Sequence, residues 1–241
     1  MRIGFGLSLL ILTFFASCKH EVLPPDAAGL GSDYFPFVIG HVIEYSVDSL
    51  KYNTFSSDTD FVHLDFKDEI VSEFTDNTGR DSYVIERSVR SDSNAAWQGQ
   101  LTYYVTQGNY EIEVVENNLR FIKLVLPVKA NTSWKGNVYI PASTSGLDEL
   151  KWYYDWDYSY SKINQAFNNG VKTFPNSMVV SYEHLTNDST AHTQYSNYTN
   201  YKESYSRTIG LIYRELTHWE YQPTEGFRNG FSVVMRATKY Q

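Results

Sequence analysis

Beyond residue 40, apolar and polar side chains alternate along most of the chain. Ile43, Tyr45 and Val47 fall on one face, with Glu44, Ser46 and Asp48 on the other. This is the period-2 signature of a half-buried strand. Residues 61–74 alternate in part, up to a turn at Asp76-Asn77-Thr78-Gly79. Tyr83, Ile85 and Val89 predict the next strand, and Leu101, Tyr103 and Val105 another. Residues 111–115 and 119–126 flank Asn117-Asn118, which reads as a tight hairpin. Further strands are predicted over 171–174, 178–185 and 231–237. Within 206–221, Gly210 interrupts Ile209, Leu211 and Tyr213 and marks a bulge or a close backbone approach. Over 192–205, propensity alone does not decide between strand and helix. No stretch makes a convincing amphipathic helix, and turn signals recur at roughly 8–12-residue spacing. The predicted fold is mainly β with little helix: an antiparallel sandwich or an open, curved barrel-like sheet. The 141–148 loop is the one plausible subdomain seam.

The chain ahead of this pattern is different. Arg2 is the only charge before Cys18, and a 13-residue apolar run over 3–15 is followed by Ala16 and Ser17. A charged start, a short apolar core and small residues before a cut site make a secretory signal. As a helix the run spans only ~20 Å, short of the ~30 Å of a bilayer core. Phe15-Ala16-Ser17-Cys18 resembles the bacterial lipobox, which implies cleavage after residue 17 and acylation of Cys18, with palmitate among the acyl chains. Two or three chains anchor stably. Lys19 is not the Asp that resembles an inner-membrane retention signal, so the outer membrane is expected, with the leaflet open. Residues 18–32 (with Pro24-Pro25, Ala, Gly and Ser) read as a lipidated N-terminus and tether, and 33–241 as one β domain.

Charge and composition narrow the partners. Without residues 1–17 the chain has 19 Lys and Arg against 28 Asp and Glu, a net −9. That argues against nucleic acid, which needs clustered cations to neutralise phosphates. Cys18 is the only cysteine, so the mature domain has no disulfide, no thiolate metal site and no cysteine nucleophile. Tyr, Phe and Trp make up 16% of the chain, which suits strands.

The most aromatic stretch is 150–160. Read as a strand, it puts Trp152, Tyr154, Trp156, Tyr158 and Tyr160 on one face. Such a face either packs in the core or stacks on sugar rings, and Trp152, Tyr154, Trp156 and Tyr158 are the candidate ligand-binding residues. Asp155 and Asp157 would then lie ~7 Å apart on the other face, a spacing that paired glycosidase carboxylates can have but that is ordinary on a solvated face. His184 and His192 flank a turn without the spacing of a metal site. Asp76-Asn77-Thr78-Gly79-Arg80-Asp81 lacks the ligand spacing of a calcium loop. No Gly-x-Ser-x-Gly elbow or phosphate-binding loop is present. The expectation is no metal, no cofactor and no catalytic centre. Asp48-Ser49-Leu50 and Asp188-Ser189-Thr190 resemble a short O-glycosylation motif of Bacteroidota envelope proteins.

Several stretches together resemble a family of uncharacterised Bacteroidota envelope lipoproteins. They are Tyr34-Phe35-Pro36-Phe37-x-x-Gly40 leading to Tyr45-x-Val47-Asp48-Ser49; Tyr83-Val84-Ile85-Glu86-Arg87; residues 117–124; Trp134-Lys135-Gly136-Asn137; and residues 210–215. The resemblance implies an envelope lipoprotein and brings no activity. The first reading is thus a non-enzymatic, lipid-anchored binding or accessory module. The alternatives are a carrier of an apolar or lipid ligand in a curved sheet, and a glycan-binding protein using 152–160. The partners in view are the membrane through Cys18, and a glycan, an apolar ligand or another envelope protein.

Overall fold

The structure, a computed structural model, describes residues 26–52, 58–140, 152–186 and 193–241. Among these residues twelve strands form one antiparallel sheet. In chain order they are β1 (Val42–Tyr52), β2 (Thr59–Thr75), β3 (Asp81–Arg90), β4 (Gln98–Gln107), β5 (Glu111–Glu116), β6 (Leu119–Val125), β7 (Ser133–Lys135), β8 (Asp157–Asn168), β9 (Thr173–Thr186), β10 (Ser196–Ser206), β11 (Gly210–Tyr221) and β12 (Arg228–Tyr240). The sheet order is β6-β5-β4-β3-β2-β1-β12-β11-β10-β9-β8-β7. Strands β1 and β12 meet in the middle, and the two edge strands are consecutive in the chain.

The sheet curls until those edges almost meet. Ile122 N–H donates to Gly136 O at 2.8 Å, and Trp134 Nε1 donates to Ile122 O at 2.8 Å. The Tyr160 hydroxyl both donates to Val125 O and accepts from Val125 N–H, each at 2.8 Å. Closure leaves little edge for another chain to pair with. Bulges such as those at Glu44/Tyr45 and Ser204/Tyr205 add the local twist that tight curvature needs. The barrel-like alternative is the one this chain adopts.

Local chemistry explains the turns. Asn117 and Asn118 both have positive φ, 52° and 61°, as a two-residue hairpin turn that matches strand twist requires. The Asp76 carboxylate accepts from Thr78 N, Thr78 Oγ1, Arg80 N and Arg80 Nε. It closes a turn with its own donors rather than offering an oxygen to calcium. Gly210 has φ +95°, and a Cβ there would sit 3.2 Å from Pro36 Cδ, a close approach; the bulge falls two residues on, at Ile212. Residues 196–206 are strand, with Tyr201, Glu203 and Tyr205 inward.

Two stretches depart from expectation. Residues 152–155 form a tight helical turn, and β8 starts only at Asp157. Asp155 has φ 63°, a left-handed conformation that Asp tolerates better than most residues and that ends the alternation. At the other end, order begins before Tyr34. Ala27–Leu30 is a helical turn and Ser32–Tyr34 a 3₁₀ turn, where a tether is expected. Arg207, in the β10–β11 turn, donates to Ala28 O at 3.1 Å and pairs with Asp33. Val128 N–H donates to Leu30 O at 2.9 Å. This segment closes one end of the barrel, with Tyr34 fully buried.

Candidate functional site

The inward face of the barrel carries charge. The alternation of Leu64, Phe66, Asp68 and Ile70 on β2 brings a carboxylate into the interior, opposite Ile43. Arg87 follows Ile85 on the same face of β3, Glu116 follows Val114 on β5, Glu203 lies between Tyr201 and Tyr205 on β10, and Arg214 follows Ile212 on β11. Lys123 comes from β6.

These six groups form one chain across the lumen. Arg87 grips Asp68 in a fork, Nε to Oδ1 and Nη2 to Oδ2, both at 2.7 Å. Its Nη1 donates to Glu116 Oε1 at 3.0 Å. Glu116 Oε2 lies 3.6 Å from Arg214 Nη1. Arg214 Nε donates to Glu203 Oε1 at 2.7 Å, and Lys123 Nζ reaches the same oxygen at 3.1 Å. Tyr205 donates to Glu203 Oε2 at 2.6 Å, Tyr103 to Asp68 Oδ2 at 3.0 Å, and Lys123 Nζ to the Tyr201 hydroxyl. Three cations face three carboxylates, so the set is neutral. Removing ions from water costs several kcal/mol each, recovered only by full pairing; here every member is paired. Burial pushes the Glu203 carboxyl up, but Lys123, Arg214 and two tyrosine hydroxyls outweigh it and hold it at about 2. Burial pushes Lys123 down, and Glu203 restores it only in part. Burial likewise raises the Tyr103, Tyr201 and Tyr205 hydroxyls well above their ordinary value.

Above this chain lies a cavity of about 50 Å³, lined by Phe35, Pro36, His41, Tyr45, Asp68 and Arg214 among others. It has room for a few waters and falls far below the roughly 300–1,000 Å³ of a small-molecule pocket. The segment 35–41 covers it, tied down by His41 Nε2 to Ile209 O at 2.9 Å and Gly40 N–H to Ile70 O at 2.7 Å.

The opposite end of the barrel is filled by aromatic rings. Trp156 is 1% exposed and Tyr158 fully buried. Trp156 stacks on Tyr182 with centroids 4.8 Å apart, and Tyr158 on Tyr201 at 5.1 Å. Trp152 is half-buried between Tyr153 and His218, stacked on both at 3.8 and 4.6 Å. Tyr154 is exposed. Of the four sequence candidates, then, Trp156 and Tyr158 point into the core, Trp152 caps it and Tyr154 alone faces outward. The polar atoms are satisfied: Trp156 Nε1 donates to Trp152 O and Tyr158 to Asn137 Oδ1. Asp155 and Asp157 are exposed and both pair with Lys135, at 2.9 and 2.8 Å. His184 bonds to Thr186. His192, Asp188 and the 141–148 loop lie outside the described residues, as does Cys18. Among the described residues no cluster of His, Cys, Asp or Glu is arranged to hold a metal.

The outer wall carries a shallow groove of about 440 Å³ beneath the β8–β9 hairpin, with Lys162, Lys202, Arg236, Phe167 and Tyr213 in its walls. Two of its cations are already engaged, Lys202 with Glu215 at 3.7 Å and Arg236 with Asp48 at 2.7 Å.

No family model and no curated protein matches the chain. Among solved structures it is similar to a protein of Bacteroides fragilis described as exported and of YMCC-like fold, at 11% identity and a TM-score of 0.34, over 85% of this chain and 98% of that one. So remote a likeness carries no residue or ligand across.

Proposed function

We propose that this chain is a lipid-anchored envelope protein of the outer membrane, acting as a non-enzymatic binding or accessory module through its outer surface. The observation that supports this reading is the filled barrel. Its ionisable groups are paired with one another, and both ends are closed, one by residues 33–41 and the other by the Trp152–Trp156 cluster. A carrier of an apolar ligand needs a lumen of several hundred Å³; the interior cavity has about 50 Å³. Glycan stacking on 152–160 needs exposed rings, and Trp156 and Tyr158 are buried. The 440 Å³ outer groove is a better-sized recess for a ligand.

The lipobox-like Phe15-Ala16-Ser17-Cys18 supports the anchor. Labelled palmitate is expected to enter the wild type and not Cys18→Ala; equal labelling removes the anchor from the reading. Native mass spectrometry of the purified domain is expected to give the bare mass, and a stoichiometric lipid adduct would restore the carrier reading.

A further inference from the structure

We infer that the barrel rim where the chain enters is a membrane-docking face, seated on the bilayer that holds Cys18. The inference rests on the lipid-anchor reading above and adds which surface meets the lipid.

The entry point is fixed by contacts. Residues 26–34 lie against Val128 and the Arg207–Thr208 turn, with Thr208 N–H donating to Asp33 O at 2.7 Å. Both lie at the rim formed by the start of β1, the end of β10 and the start of β11. From Cys18 to Asp26 is eight residue steps. They reach at most ~28 Å fully extended, and on the order of 16 Å as coil. Strand β1 alone has 11 residues, roughly 33 Å along its length and about 25 Å along the barrel axis at a tilt of ~40°, so only a nearly fully extended linker would bring the opposite rim to the lipid. The rim at residue 26 is the one held against the lipid.

That rim displays apolar side chains on its turns. Val38 and Ile39, 60% and 53% exposed, stand side by side in the turn closed by His41 N–H to Val38 O at 3.0 Å. They continue the apolar run Phe35-Pro36-Phe37, whose Phe rings pack inward against each other and Tyr83. Tyr110, in the β4–β5 turn, is 76% exposed, and Val171, in the β8–β9 turn, 53%. The far rim is no less apolar, with Phe61, Val62, Val138, Tyr139, Tyr154 and Leu185 exposed; the short link to Cys18 decides which set meets lipid. An adjacent aliphatic pair and an exposed tyrosine suit shallow insertion at the headgroup boundary, where apolar burial adds to the hold of acyl chains.

The test uses the full acylated protein in phosphatidylethanolamine-rich vesicles containing nitroxide-labelled lipid. Cys18 is the only cysteine and its thiol is consumed by acylation, so Ile39→Cys, Tyr110→Cys and Tyr154→Cys each take one fluorophore at an exposed position. Loss of fluorescence at 39 and 110 with none at 154 is expected. Protein that floats with vesicles but shows no loss at 39 and 110, or equal loss at all three, overturns the docking face while leaving the anchor intact. Protein that does not float and takes up no palmitate overturns both.

Discussion

Glu203 is the residue on which the interior depends most. It is fully buried and accepts from Lys123, Arg214 and Tyr205. Removing it leaves a buried ammonium and a guanidinium short of their counter-charge, whereas removing both members of a pair leaves neither uncompensated. Glu203→Leu is therefore expected to cost about 3–5 kcal/mol. Adding Lys123→Met should recover part of that loss, because Arg214 keeps Glu116. Urea unfolding of the two single variants and the double variant checks this through the coupling energy, and strict additivity would mean the pair is not coupled. The sequence shows these residues only as inward positions that happen to be charged. Arg87 falls in register with Ile85 and Val89, and Glu203 sits between two inward tyrosines. A reading that scores apolar alternation passes over them, and their partners lie far off in the chain: Lys123 and Glu203 are 80 residues apart. Spacing cannot reveal such a pairing; only the closed sheet brings it about.

At the scale of elements, the β8–β9 hairpin overhangs the outer wall, and Asn169 ties its turn to β11 and β12. Asn169 donates from Nδ2 to Ile212 O at 3.0 Å and Ala237 O at 2.9 Å, where β11 and β12 part. Its Oδ1 accepts from Val171 N–H and Lys172 N–H. Four backbone groups lose a partner in Asn169→Ala, so a loss of about 1–3 kcal/mol is expected, with amide exchange at Val171 and Lys172, in the β8–β9 turn, quickened more than in β9. Unchanged exchange at those two amides would show that the hairpin is held by Phe167 on Tyr213 instead. The strand pattern itself was largely readable, because period 2 needs only local information: Ile43, Tyr45 and Val47 are all buried. Aromatic alternation over 152–160 misleads because nothing in it announces the positive φ of Asp155. The tight turn there lets Trp152 fold back over His218, and the stripe becomes a cap.

For the whole molecule, the decisive feature is how its two halves are joined. Strands β1–β6 and β7–β12 meet through the β1–β12 ladder and the narrow seam between β6 and β7. Inside, Asp68, Arg87, Glu116 and Lys123 come from the first half, and Glu203 and Arg214 from the second. The ion chain is thus a third junction, made of carboxylates that must stay ionised. Glu203 is held at about 2 and Glu116 below its ordinary value, burial being outweighed in both by the facing cations. A carboxyl whose folded pKa lies below its unfolded value of ~4.3 binds fewer protons in the native state. Its stabilisation is complete above the unfolded value and is lost as pH falls towards the folded one. Wild-type stability is therefore expected to fall steeply between about pH 4.5 and 2. Glu203→Gln, less stable at pH 7, should show a shallower slope across that window. Urea titrations followed by tryptophan fluorescence and far-UV circular dichroism at pH 7, 4 and 3 measure both. Coincident transitions at pH 7 are expected from a barrel closed at three junctions. A wild-type slope no steeper than that of Glu203→Gln would mean that the interior carboxylates do not join the halves.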